Sequence, residues 1–219
     1  MDADTTARKG GHEEILAAFS AHEADILIGT QMIVKGHDFG NVTLVGIMAA
    51  DLSLNTPDYR CSERTFQLLT QAAGRAGRGS LSGNVVIQTY QPEHYAIVTA
   101  AEQNYEEFYR REMLYRKMIN YPPACYMEAV LFAGNNEKTV ERCSDLALST
   151  VRKMGYEENE IQMIGPVRAP VYKVNDIYRK ILYIKSKNCD ILDKIRRNIE
   201  LLAAGDDGFK SLALQFDIS

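Results

Sequence analysis

Short, uniformly apolar runs alternate along the first half of the chain with stretches whose apolar residues recur at helical spacing. Three such runs are "DILIGT" (25–30), "VTLVGIMAAD" (42–51) and "NVVIQTY" (84–90). Runs of this kind, bounded by helical or loop segments, predict strands buried on both faces of a parallel sheet. Ahead of them, residues 5–24 read as a capped amphipathic helix with Ile15, Leu16 and Phe19 on its apolar side. Between the second and third runs, "SERTFQLLTQAAGRAG" sets Phe66, Leu69 and Ala73 on one helical face. Val98, Ala101, Tyr105, Phe108 and Tyr115 then recur through a long helix predicted from about Glu93 to Met118. Strands separated by helices in this way predict an α/β lobe.

That helix must stop at "INYPPACY", because Pro122 and Pro123 cannot continue it and Tyr121, preceding a proline, is driven out of the helical region. A domain boundary is expected there, giving domains 1–120 and 121–219. Beyond it the pattern reads strand (Met127–Ala133), helix (Glu137–Met154), strand (Ile161–Val174, broken by Pro166 and Pro170), strand (Tyr178–Lys185), helix (Asp190–Ala203) and strand (Ser211–Ile218). A β-α-β-β-α-β order of this kind predicts a ferredoxin-like α+β domain. The expected fold class is therefore α/β with a mainly parallel sheet, followed by this smaller α+β domain.

Composition narrows the function classes. At 219 residues, 46% hydrophobic and 25% charged, the chain has room for two domains with their own cores. The apolar runs fall well short of the roughly 20 residues that span a bilayer, so a cytoplasmic protein without a membrane partner is expected. Cys61, Cys125, Cys143 and Cys189 form no Cys-x-x-Cys pair and His12, His22, His37 and His94 are scattered, so no metal site is expected and the thiols read as reduced. The net charge of −4 excludes a uniformly basic nucleic-acid binder but not a local basic patch.

Such a patch lies between Arg168 and Arg197, where nine basic residues face three acidic ones, with Tyr172, Tyr178 and Tyr183 interleaved. Flat rings among cations are the combination that contacts phosphate and stacks bases. The same residues also fit a solvated face over a core that takes the tyrosines.

The segment "QAAGRAGRG" (71–79) concentrates a different chemistry. Gly74, Gly77 and Gly79 allow tight turns and close approach, while Arg75 and Arg78 offer planar donor forks that suit phosphate. Alone, it equally fits a surface turn after a helix. Upstream, "GTQMIVKGHDFGNVTLV" (29–45) puts Gly-Thr at the end of a predicted strand, where α/β sheets place ligands, followed by Lys35, Gly36 and Asp38. Alone, it too reads as an ordinary connection with a solvated Lys35. No Gly-x-x-x-x-Gly-Lys-Ser/Thr loop and no acidic Asp-Glu-x-His type of motif accompany these segments, so the chain cannot by itself complete an ATP site.

Taken together, "ILIGTQMIVKGHDFGNVTLV" and "PDYRCSERTFQLLTQAAGRAGRG" resemble the second RecA-like lobe of superfamily 2 helicases, and in detail the primosomal replication-restart DNA helicases. "DADTT", "QTYQPEHYAI", "YPP", "GPVRAPV" and the terminal "LQFDIS" extend the resemblance through essentially the whole chain. It implies a partial helicase lobe, beginning inside lobe two, followed by a domain that helps recognise branched DNA. Gln71, Arg75 and Arg78 would face ATP and Mg2+ held between two lobes, with Arg78 the better candidate for an arginine finger and Gly74 and Gly77 shaping the loop. Gly29, Thr30 and Gln31 would contact the tracked DNA strand, and Lys35, Gly36 and Asp38 would continue that linker toward the nucleotide. Asp38 reads equally as a cap or as a partner for a neighbouring arginine.

In the second domain "GPVRAPVYKVNDIYRK" (165–180), with Arg168, Lys173, Arg179 and Lys180, is the candidate DNA contact. The resemblance further implies a zinc module upstream of this chain, and as partners helicase lobe one, branched and single-stranded DNA, single-stranded DNA-binding protein and other primosome proteins. Two alternatives remain at this point: another superfamily 2 DNA translocase, or a non-catalytic module that binds DNA structures.

Overall fold

Helix α1 (Gly11–Ser20) opens the part of the chain described by the computed structural model, which comprises residues 11–30, 42–77 and 82–219. Strand β1 (Leu44–Ile47), the short α2 (Asp51–Leu54), α3 (Cys61–Ala73), β2 (Asn84–Ile87), α4 (Tyr95–Ala101) and α5 (Tyr105–Met118) come next along the chain. β1 and β2 pair in parallel, from Leu44 opposite Asn84 to Ile47 opposite Ile87. Phe66 and Leu69 of α3, Ala96, Ile97 and Ala100 of α4 and Phe108 of α5 form the core, with the Phe66 and Phe108 rings stacked at 4.2 Å. Ile47 and Ile87 pack against it at the ends of their strands.

Three expectations for this half need correction. Residues 25–30 form no strand: Ile26 and Ile28 are 77% and 78% exposed. A strand persists only with a ladder to join, and among the described residues β1 bonds β2 alone. A mainly parallel sheet was expected to bury its strands on both faces. The parallel pair β1–β2 instead leaves Leu44, Val85 and Val86 exposed, its apolar run reaching a helical layer on one side. The long helix from Glu93 is two helices. Glu102 closes α4, Gln103 takes φ +51°, and the Asn104 side chain caps the restart by accepting from the Glu107 amide at 3.0 Å.

The remaining elements are β3 (Tyr126–Gly134), α6 (Glu137–Lys153), β4 (Ile161–Val174), β5 (Ile177–Ser186), α7 (Cys189–Gly205) and β6 (Ala213–Ile218). They form an antiparallel sheet in the order β4-β5-β3-β6. Val130 and Phe132 of β3 and Leu182 and Ile184 of β5 point to one face, the alternation that a half-covered strand requires. Val140, Cys143, Ala147 and Val151 of α6 and Leu192, Ile195 and Ile199 of α7, at helical spacing, close that face. Asparagine caps both helices: Asn136 accepts from the Thr139 amide and Asn188 from the Asp190 amide. The register of β4 against β5 shifts between Ile164 and Val167 and again between Arg168 and Lys173. Pro166 and Pro170 lie inside those shifts and have no N–H to give to a ladder.

Packing divides the chain into two compact units between Glu112 and Met113, inside α5 and ahead of the proline break. Two buried cations explain why the last turn of α5 belongs with the second unit. Arg116 donates from Nη1 to the Pro122 carbonyl at 2.8 Å, and Lys185 of β5 donates to the Ile119 carbonyl at 3.3 Å with its ammonium 3.4 Å from the Tyr121 ring centre.

Candidate nucleotide-facing loop and candidate DNA interface

Gln71 lies in the last turn of α3, and Arg75 follows in the turn just beyond its Gly74 cap. Gln71 is exposed and Arg75 half-buried. The amides of Gly74, Arg75 and Ala76 fold back onto the carbonyls of Thr70, Ala72 and Ala73 at 3.0, 3.0 and 3.2 Å, satisfying the helix end. Gly77 then takes φ +71°, a left-handed conformation natural to glycine, and donates to the Val42 carbonyl at 3.0 Å. Gly83 completes the support: a Cβ there would lie 2.2 Å from the Gly77 nitrogen and 2.5 Å from the Ala76 carbonyl carbon. This glycine, outside the motif, was not singled out in the sequence, because its spacing from the motif has no local signature.

Gly29 and Thr30 are exposed on an irregular segment. Arg78, Gly79, Gln31, Lys35, Gly36 and Asp38 lie outside the described residues.

Val42 lies two residues before β1 and Gly83 directly before β2, so the described turn at Gly74–Gly77 is seated at the N-terminal ends of the parallel pair. The opposite ends carry a polar lock. Asp51, buried at the start of α2, accepts from the Thr89 hydroxyl at 2.7 Å and the Tyr90 amide at 2.9 Å. Those bonds hold its carboxyl below the usual range. Asp51 ends the second apolar run, and an acid closing that run was the signal available for it.

In the second unit β4 and β5 form a hairpin whose turn residues, Asn175 and Asp176, take φ +48° and +60° between the paired Val174 and Ile177. Two consecutive positive φ values make the tight turn that suits the twist of a hairpin. The candidate DNA residues do not share one surface. Arg168 is paired across the ladder with Lys180, and both turn toward α6. Arg168 reaches Glu137 at 4.0 Å and lies over the Tyr172 ring at 4.4 Å, while the Tyr172 hydroxyl donates to the same Glu137. That bond raises the Tyr172 hydroxyl above its ordinary pKa.

Lys180 reaches Glu141 at 3.3 Å and Asp145 at 4.0 Å. Lys173 pairs with Asp176 at 2.9 Å, which raises the pKa of the amine and lowers that of the acid. Arg179 alternates to the other face of β5. Tyr178 packs against the core, in line with the reading that gave the tyrosines to the domain interior.

The four cysteines are free thiols, two of them buried, and among the described residues no three His, Cys, Asp or Glu side chains gather to hold a metal ion. No described helix is long and apolar enough to cross a membrane.

The chain is similar to known proteins along nearly its whole length. Residues 3–80 match the model of the helicase conserved C-terminal domain, and residues 117–218 that of the primosomal protein N C-terminal domain. Replication restart protein PriA of Bacillus subtilis is 44% identical over 200 residues, covering 91% of this chain. The proteins of that name from Synechocystis and Chlamydia pneumoniae are 42% and 38% identical, covering 84% and 85% of the chain. This chain spans 24%, 22% and 25% of those three relatives, about a quarter of their length. With one match on the unit that carries the glycine–arginine loop and the other on the unit that carries the basic hairpin, the chain belongs to the PriA family of replication restart proteins.

Proposed function

We propose that this chain is the C-terminal part of an ATP-dependent 3′-to-5′ DNA helicase that restarts stalled replication forks by binding branched DNA and promoting primosome assembly. The observation that carries the reading is the pairing, in one chain, of a helicase C-terminal match with a primosomal C-terminal match. Functionally the division is 1–120, a RecA-like lobe two, and 121–219, a DNA-binding domain whose element order and sheet order support a ferredoxin-like arrangement.

The exposed Gln71 amide in the last turn of α3 and the half-buried Arg75 guanidinium in the glycine-supported turn beyond it are donors that fit a polyphosphate. ATP with Mg2+ would supply the phosphoryl transfer that powers translocation, its phosphate cradle coming from lobe one. Arg78 acts as the finger that stabilises the transferring charge, a role that can matter by about 10³–10⁵ in rate. Gly74 and Gly77 shape that loop. Gly36 and Asp38 continue the path from Gly29, Thr30, Gln31 and Lys35, which touch the tracked strand.

Zinc belongs to an upstream module. Single-stranded DNA-binding protein and other primosome proteins are partners, and the site of action is the cytoplasm. The 219-residue chain alone lacks a phosphate-binding loop and is inactive toward ATP.

The test is binding of a synthetic forked duplex by the isolated chain, with ATP hydrolysis assayed alongside. Binding without hydrolysis, weakened uniformly and with a shallower salt dependence in the Arg168→Ala, Lys173→Ala, Arg179→Ala triple variant, is the expected result. Unchanged affinity in that variant removes the DNA assignment from the hairpin.

A further inference from the structure

Two of the cations assigned to DNA on the β4–β5 hairpin, Arg168 and Lys180, face a row of carboxylates on α6. Glu137, Glu141 and Asp145 repeat every four residues, so they stand one above another along one edge of the helix, about 6 Å apart along its axis. Each touches a hairpin cation. Glu137 meets Arg168 and also accepts from Tyr172, while Glu141 and Asp145 share Lys180, whose side chain is left 15% exposed. The carboxylates themselves are about half exposed, so the bridges are water-accessible and weak one by one. A regularly spaced line of anions laid against Arg168 and Lys180 presents the hairpin with what a phosphate strand would present.

We propose that α6 is an internal competitor for DNA: its Glu137–Glu141–Asp145 edge occupies the hairpin cations in the free chain and is displaced by phosphate when the hairpin engages a nucleic acid. This rests on the hairpin reading proposed above and adds a regulation of that same site. The consequence is an affinity held below what the cations alone would give, together with selection for DNA whose phosphates reach Arg168 and Lys180 at once. Single-strand or duplex geometry that offers one phosphate at a time leaves the clasp closed.

The experiment measures fluorescence anisotropy of a labelled forked duplex with the 219-residue chain. It compares wild type, the Glu137→Gln, Glu141→Gln, Asp145→Asn variant, and a control that neutralises three acids elsewhere, Glu157→Gln, Glu158→Gln, Asp217→Asn. Opening three weak bridges should tighten fork binding about tenfold. The salt dependence should steepen by about 1–2 units of slope as Arg168 and Lys180 become available to phosphate. The control should tighten binding less than about twofold, the general effect of three charges.

In an Arg168→Gln, Lys180→Gln background the gain from the α6 substitutions should fall to the control level. A gain equal to the control, or one that persists without the two cations, overturns the clasp. If Arg168→Ala, Lys173→Ala, Arg179→Ala still weakens binding in that case, the hairpin reading stands. If that variant binds like wild type, the reading and the clasp fall together. Circular dichroism of each variant checks that folding is unchanged.

Discussion

In the second unit β3 and β5 present Val130, Phe132, Leu182 and Ile184 to α6 and α7 with no exposure at all, whereas in the first unit β1 and β2 leave Leu44, Val85 and Val86 open. The contrast lies in cover rather than in composition, since both sets of strands are rich in Val, Ile and Leu. Four antiparallel strands with two helices laid on one face complete a core by themselves. The two parallel strands among the described residues of the first unit do not, and its core is made by Phe66, Leu69, Ile97 and Phe108 between helices. The loop given to nucleotide chemistry therefore sits on the thinner scaffold, pinned by the Gly77–Val42 bond and the close approach of Gly83. The segment given to DNA binding projects from the sturdier one.

The contrast breaks most visibly if the units are separated. Residues 113–219 alone should give native-like circular dichroism and a cooperative thermal transition. Residues 11–112 alone should melt broadly and bind a hydrophobic dye. Cooperative melting of both would show that the first unit is no less complete.

Point substitutions sharpen the same contrast. Phe132→Ala should destabilise by about 3–5 kcal/mol in urea unfolding, because the vacated space lies in a closed core. Val86→Ala, on an open strand, should change stability by less than about 0.5 kcal/mol. A large loss at Val86 would mean that the β1–β2 face is covered in solution.

Glu128 gives the next effect. It is buried on the helix side of β3 with Oε2 unbonded, and burial pushes its carboxyl up to about 7 against the pull of Arg196. A carboxyl raised in the folded state contributes fully below its unfolded value near 4.5, and the contribution drains away as pH rises through about 7. Glu128→Gln, which keeps the neutral form at every pH, should therefore exceed wild type by on the order of 1–3 kcal/mol near pH 8. It should lose that advantage near pH 5. An advantage independent of pH would assign the effect to packing instead. A comparable effect is expected at the loop: Gly77→Ala, forced to a left-handed φ, should cost about 1–2 kcal/mol. A neutral result would show that the loop is free to adopt another shape.

The second unit was legible in the sequence nearly element by element, with strands and helices ending within two residues of their expected limits. Its signals are local, as with the prolines that fall at the two register shifts. The first unit was less so. An apolar run such as "DILIGT" states that burial would be favourable, not that a ladder is there to join, and residues 25–30 form no strand. The break in the predicted long helix had a readable sign in "NYEE", an asparagine ahead of two acids, but helical spacing continued across it.

Of the site, Gln71, Gly74, Arg75 and Gly77 fall on the end of α3 and the turn beyond it, as their pattern suggested. What sequence could not give is the pairing of Arg168 and Lys180 with α6. It depends on the register across β4 and β5 and on which face of the sheet the helix covers.

The most direct test of the proposed division of labour is DNA-stimulated ATP hydrolysis by the full-length protein, wild type against Arg78→Ala, with fork binding measured in parallel. Turnover should fall by about 10³-fold or more while fork affinity stays within about twofold, since the proposed finger and the proposed DNA-binding hairpin belong to different units. Unaltered turnover would contradict the account, leaving "GRAGRG" a structural loop and the nucleotide assignments without support.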